Sequence, residues 1–177
     1  EDGTFRWRTP FKIEEEEEIE AGVERPPIDY EAQANKSLAD LGMSLVVEKD
    51  GKKYISHPLI AQDEENRIEF RAYQVNLASE SYGANSIIVL PPGTGKTIIA
   101  VLIAAKLLKE NPSLKILITA PTNELARQLA EEFSRLLPGQ RAVNINSDHS
   151  RKKRKELWEA NNIITATPHL IVREINR

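Results

Sequence analysis

The chain has 177 residues, enough for one domain with a buried core, and its 24 Lys/Arg against 27 Asp/Glu give a formal net charge of -3. It has no cysteine and three histidines far apart in sequence, which excludes disulfides, thiolate metal sites and cysteine nucleophiles and leaves no zinc motif. No run reaches the roughly 20 apolar residues of a membrane-spanning helix and the charged first residues are unlike a signal peptide, so a cytoplasmic protein without a membrane partner is expected.

The charge is unevenly spread. Glu1 to Phe70 carry 9 Lys/Arg and 18 Asp/Glu, a net of -9, whereas Arg71 to Arg177 carry 15 and 9, a net of +6. A basic C-terminal part that binds a polyanion is the first expectation.

In chain order, residues 1–30 hold the acidic run Glu14 to Glu18 and the Pro26-Pro27 pair, with few apolar residues to bury; this composition predicts a solvated acidic arm. Residues 31–67 read as a small α+β appendage. Tyr30 to Leu41 predict a short helix stopped by Gly42. Leu45-Val46-Val47 and Tyr54-Ile55 flank Glu48-Lys49-Asp50-Gly51, where Asp-Gly signals a hairpin turn.

From residue 68 to 177 apolar strand-like runs alternate with amphipathic segments, the pattern of a parallel α/β sheet. Strands are predicted at Ser86–Leu90, Lys115–Thr119, Arg141–Ile145 and Ile163–Ala166. Helices are predicted at Lys96–Glu110, Asn123–Leu137 and about Arg151–Asn161. Asn111-Pro112 should end the first of these helices. The run Ile87-Ile88-Val89-Leu90 is expected to be a strand buried on both faces.

Directly after that run comes Leu90-Pro91-Pro92-Gly93-Thr94-Gly95-Lys96-Thr97, in the strand, loop and helix order that a Walker A phosphate loop requires. Its glycines let backbone N–H groups converge on phosphate oxygens, and the helix N-terminus adds partial positive charge. Pro92, Gly93, Thr94, Gly95, Lys96 and Thr97 are therefore the candidate ATP contacts. Lys96 and Thr97 are the candidate catalytic residues, the first reaching the β and γ phosphates and the second offering its hydroxyl to Mg²⁺. The strict pattern would have Gly where Leu90 stands.

Three neighbouring motifs narrow the class. Ile68-Glu69-Phe70-Arg71-Ala72-Tyr73-Gln74 resembles the Q motif of superfamily 2 helicases. A glutamine amide can pair with adenine through both its groups. The resemblance gives that role to Gln74 and lets Arg71 stack near the base. Thr119-Ala120-Pro121-Thr122-Asn123-Glu124-Leu125-Ala126-Arg127-Gln128 resembles motif Ia, with Thr122 both a helix cap and a nucleic-acid phosphate contact. Ile163-Ile164-Thr165-Ala166-Thr167-Pro168-His169-Leu170 resembles motif Ib, with Thr167 offering hydroxyl and backbone N–H groups to phosphate. His169 is expected to face solvent.

Together these motifs make residues 68 to 171 similar to the first RecA-like lobe of superfamily 2 helicases. Ser56-His57-Pro58-Leu59-Ile60, Ile88-Val89-Leu90-Pro91 and Trp158 resemble the archaeal Hef and Fanconi-anaemia M-protein translocase group, in which Leu at position 90 is ordinary. The expected fold is thus a RecA-like P-loop parallel sheet, present as a partial lobe, with an acidic arm and a small α+β appendage.

The resemblance implies ATP and Mg²⁺ as cofactors, nucleic acid (DNA rather than RNA) as partner, and a second RecA-like lobe that this chain lacks. No Asp-Glu pair follows an apolar strand after the loop; Asp63-Glu64-Glu65 precedes it. The isolated chain is accordingly expected to bind ATP without being a competent ATPase. Two other readings stay open: a non-motor nucleotide- or nucleic-acid-binding module, and an AAA+ fragment, since Pro-Pro-Gly-Thr-Gly-Lys-Thr is common in that class. The basic run Arg151 to Lys155 is either a solvated helix face or a phosphate-tracking patch.

Overall fold

A computed structural model describes residues 30–175; the acidic arm predicted for residues 1–30 lies outside this span except for Tyr30. The predicted first helix is α1, Tyr30–Asp40. Gly42 stops it at φ +68°, with Gly42 N–H donating to Ala39 O at 2.9 Å and Met43 N–H to Leu38 O at 2.8 Å. These bonds close the last turn onto carbonyls that have no partner further along the helix. The hairpin forms from β1, Ser44–Val47, and β2, Lys53–Ser56, paired antiparallel with Leu45 opposite Ile55. The left-handed Gly51, at φ +85°, sits in its turn.

This segment packs into the core of the larger α/β region. Ile55 N–H donates to Ile68 O and Phe70 N–H to Lys53 O, so residues 68–70 run beside β2 and lead into α2, Ala72–Ser81. Ala61 N–H donates to Leu136 O. Leu38, Leu41, Met43 and Ile55 belong to the same buried cluster as Val75, Ile99, Leu102 and Phe133.

The remaining elements are α3 (Lys96–Glu110), β3 (Ile116–Thr119), α4 (Asn123–Leu136), β4 (Ala142–Asn144), α5 (Arg151–Ala160), β5 (Ile163–Ala166) and α6 (Pro168–Ile175). The three strands form a parallel sheet in the order β3-β5-β4, with Ile116 beside Ile163 and Ala142 also beside Ile163. β5 is central and wholly buried. Its side chains alternate between the two faces: Ile163 joins the cluster under α3 and α4, whereas Ile164 joins Ile145, Ala166 and Leu170. The buried Thr165 hydroxyl donates to Ala126 O at 2.7 Å, tying the sheet to α4.

The strand predicted at Ser86–Leu90 does not form. Ser86 makes an isolated bridge, and Ile87 to Leu90 run outside any strand. Nor is the run buried on both faces: Ile88 and Leu90 pack against the core, while Ile87 is 52% and Val89 86% exposed. The two faces of such a run are hidden only where other layers pack on both of them, and here only the side carrying Ile88 and Leu90 meets the core. Among the described residues the sheet ends at β3, with no strand beside Ile87 to Leu90.

Candidate functional site

Parallel strands send their C-terminal ends to one edge, and the loops leaving that edge carry the candidate residues. Thr119 of β3 lies beside Ala166 of β5, and Asn144 of β4 beside Thr165. The segments holding Thr122, Thr167 and Asn146 therefore leave the sheet side by side. A cavity of about 340 Å³ joins Thr119, Ala120 and Pro121 to Thr97 at the start of α3, so the glycine loop opens on the same edge.

Local backbone geometry shapes that loop. Gly93 has φ +77° and Gly95 φ +72°, left-handed values that a side chain disfavours. Gly95 is also the N-cap of α3. A Cβ there would lie 2.5 Å from Gln74 Nε2, so the tip of that side chain would have to shift, whereas Gly93 faces open space. Lys96 is exposed, and its ammonium donates to Leu90 O at 2.7 Å and Pro91 O at 2.9 Å. Thr94 Oγ1 donates to Pro91 O at 2.7 Å. The loop is thus curled around its own carbonyls, with the lysine's charge held at its mouth. Pro92 is exposed and Thr97 half-buried.

The Q-motif residues stand against this loop. Arg71 is the N-cap of α2 and makes no side-chain cap. It lines a cleft of about 300 Å³ with Gln74, Gly93, Gly95, Ile98 and Arg135. Gln74 is 2% exposed, and its amide donates to Thr94 O at 3.0 Å. Arg71's guanidinium is held above its ordinary pKa by the Tyr73 hydroxyl first and Glu69 more weakly, so it is a fixed cation at the cleft.

Thr122 caps α4, its hydroxyl accepting from Leu125 N–H at 3.2 Å, and it is exposed, so the hydroxyl hydrogen is free to turn outward. Thr167 is half-buried and starts α6. It shares a small cavity with Asn123, Asn146, Ser147, His169 and Arg173. His169 faces solvent, as expected.

Sequence reasoning missed several of these neighbours. Asn146 and Ser147 follow a short strand and belong to no motif; their only signal was their place just after β4. Arg135 reaches the cleft from the far end of α4, which no local pattern encodes. The basic run divides: Arg151, Lys152, Lys153 and Lys155 are exposed, whereas Arg154 is buried. Arg154 donates to His149 O and pairs with Glu174 at 2.7 Å, joining α5 to α6. It is therefore no part of a phosphate-tracking surface. Lys115, predicted to open a strand, instead donates to the carbonyls of Trp158, Glu159 and Asn161 at 2.7 to 2.9 Å and closes the C-terminus of α5.

Residues 71–177 match the model of the DEAD/DEAH box helicase family. This chain belongs to that family. It is 32% identical over 114 residues to the Fanconi anemia group M protein of Gallus gallus, covering 63% of this chain and 6% of that protein. It is 31% identical over 108 residues to the DEAD-box ATP-dependent DNA helicase Fancm of Drosophila melanogaster, covering 60% and 7%. Among solved structures, the Pyrococcus furiosus Hef helicase domain superposes with a TM-score of 0.58 at 35% identity, covering 60% of this chain and 23% of that one. The RecA-like α/β fold expected from the motifs is thereby established. The chain spans only a small part of the length of these relatives.

Proposed function

We propose that the chain is the ATP-binding part of the first RecA-like lobe of an ATP-dependent DNA helicase or translocase that acts on branched or forked DNA in repair. One observation carries this reading: the glycine loop, with Lys96 and Thr97, opens on the sheet edge that also presents Thr122 and Thr167. Nucleotide and nucleic acid would then meet on adjoining loops, as a motor needs. Two of the relatives are Fanconi-type proteins, one named as a DNA helicase, which supports DNA as the polymer.

Each group has a defined part. The N-terminus of α3 and the left-handed glycines present N–H groups to phosphate, and Lys96 exchanges its loop carbonyls for phosphate oxygens. Gln74 and Arg71 face the cleft where a base would lie. Thr97 would offer its hydroxyl oxygen to Mg²⁺; among the described residues no group of three acidic or histidine side chains could hold the ion alone. Bound there, the ion neutralises phosphate charge. Thr122 and Thr167 position a phosphate backbone without reading its sequence.

The nucleotide site can be tested on a polypeptide of these 177 residues. Calorimetric titration of MgATP into this polypeptide and its Lys96→Ala variant tests the nucleotide site. The variant is expected to bind at least about tenfold more weakly, the loss of one charge-assisted contact. Because the Lys96 ammonium is exposed and, among the described residues, bonds to the carbonyls of its own loop, the fold should be unaffected. Equal affinity for the two proteins would sink the assignment.

A further inference from the structure

The Thr94 carbonyl takes two donors from α2. One is the Gln74 amide at 3.0 Å; the other is the Tyr73 hydroxyl at 2.7 Å. The Gln74 amide also approaches the Tyr73 oxygen at 3.4 Å, and Arg71 is a further neighbour of that hydroxyl. Two adjacent polar side chains at the head of α2, Tyr73 and Gln74, thus converge on one peptide of the loop. The peptide unit is planar and trans, so the Thr94 carbonyl and the Gly95 N–H point in opposite directions. Holding the carbonyl toward α2 turns the Gly95 N–H away from it, as phosphate binding at the start of α3 requires.

Gln74 has one amide and two tasks. Where that amide turns to a purine base, its bond to Thr94 O is given up. We infer that Tyr73 is a positioning residue for the phosphate loop, its hydroxyl holding the Thr94–Gly95 peptide in the orientation that binds phosphate so that Gln74 is free to read the base. The inference rests on the nucleotide-binding reading above and adds to it a division of labour between neighbouring residues. Tyr73 is 38% exposed, and its hydroxyl is spent on the loop. Phenylalanine keeps the ring and removes only this bond.

The test compares the chain with its Tyr73→Phe and Lys96→Ala variants by calorimetry, using MgATP and the base-free probe magnesium tripolyphosphate. One net hydrogen bond corresponds to about a three- to tenfold change in affinity. Tyr73→Phe is expected to weaken both ligands by that factor, with an unchanged thermal midpoint. It should also shift the Gly95 amide resonance in the ligand-free protein, which loss of ring packing elsewhere would not do. A variant that weakens ATP alone would make Tyr73 a base contact and overturn the inference. So would unchanged affinity for tripolyphosphate together with an unmoved Gly95 resonance. If instead Lys96→Ala binds tripolyphosphate as well as the parent does, the nucleotide reading itself fails, and the inference falls with it.

Discussion

Replacing Gly95 by alanine combines two penalties that replacing Gly93 does not. Both glycines have positive φ, +72° and +77°, so either substitution forces a Cβ into the left-handed region at about 1–2 kcal/mol. At Gly93 the new methyl meets nothing within 4 Å. At Gly95 it would stand 2.5 Å from Gln74 Nε2. The amide has to move, giving up its 3.0 Å bond to Thr94 O, while Gln74 is only 2% exposed. A buried polar group left without its partner costs about 1–3 kcal/mol. Gly95→Ala should therefore be less stable than Gly93→Ala by roughly that amount, and less stable than the parent by about 2–5 kcal/mol. Domains of this kind are stable by only about 5–15 kcal/mol, so the loss is readily measured. Urea unfolding followed by circular dichroism gives all three values, with equal slopes showing that the unfolding reaction is the same. Equal midpoints for the two variants would refute the close approach of Gln74 to the loop, and with it the assembly of the cleft that Gln74 lines.

Arg154→Ala breaks a largely buried ion pair with Glu174 and should cost about 3–5 kcal/mol, whereas Lys152→Ala, on the exposed part of the same run, should stay within about 0.5 kcal/mol of the parent; unfolding midpoints of the two variants decide it, and near-equal values would return Arg154 to the solvated face. Acid sensitivity should be traceable to His57. Burial, reinforced by the charges of Lys109 and Lys106, holds its imidazole below the ordinary value. The unfolded chain gains this proton as pH falls past about 6.5 while the folded chain does not. Stability from this site is thus complete above that pH and is lost as pH falls toward the lowered value. His57→Asn retains an acceptor for Leu59 N–H, now bonded to His57 Nδ1 at 3.2 Å. The stability difference between parent and variant should shift toward the variant between pH 7.5 and 5.5 by up to about 1.4 kcal/mol per pH unit; a difference independent of pH would show the imidazole titrating normally.

Much of the fold was legible because its signals are local. α3 and β5 have the predicted limits, since a glycine cap, an Asn-Pro stop and a β-branched run are each read within a few residues. Gly42 and Asp50-Gly51 announced a helix stop and a hairpin for the same reason. The cap at Thr122 and the glycine loop are also short-range patterns.

What sequence alone determined about this protein is most of its helices and strands and the stretches on which its family resemblance rests: the glycine loop, Arg71 to Gln74, and the two threonine-bearing strand ends. Only the tertiary structure decided what depends on who stands beside whom. Ile87 to Leu90 reads as a buried strand, yet burial is a property of neighbours, and Val89 has none on its outer side. Arg154 reads as one of five surface charges, yet Glu174 and the His149 carbonyl draw it inward across two helices. Tyr73 reads as an ordinary aromatic next to Gln74, until the fold sets the Thr94 carbonyl 2.7 Å from its hydroxyl. Periodicity and capping report the chain's own backbone, whereas the Arg154–Glu174 and Tyr73–Thr94 contacts span 20 and 21 residues.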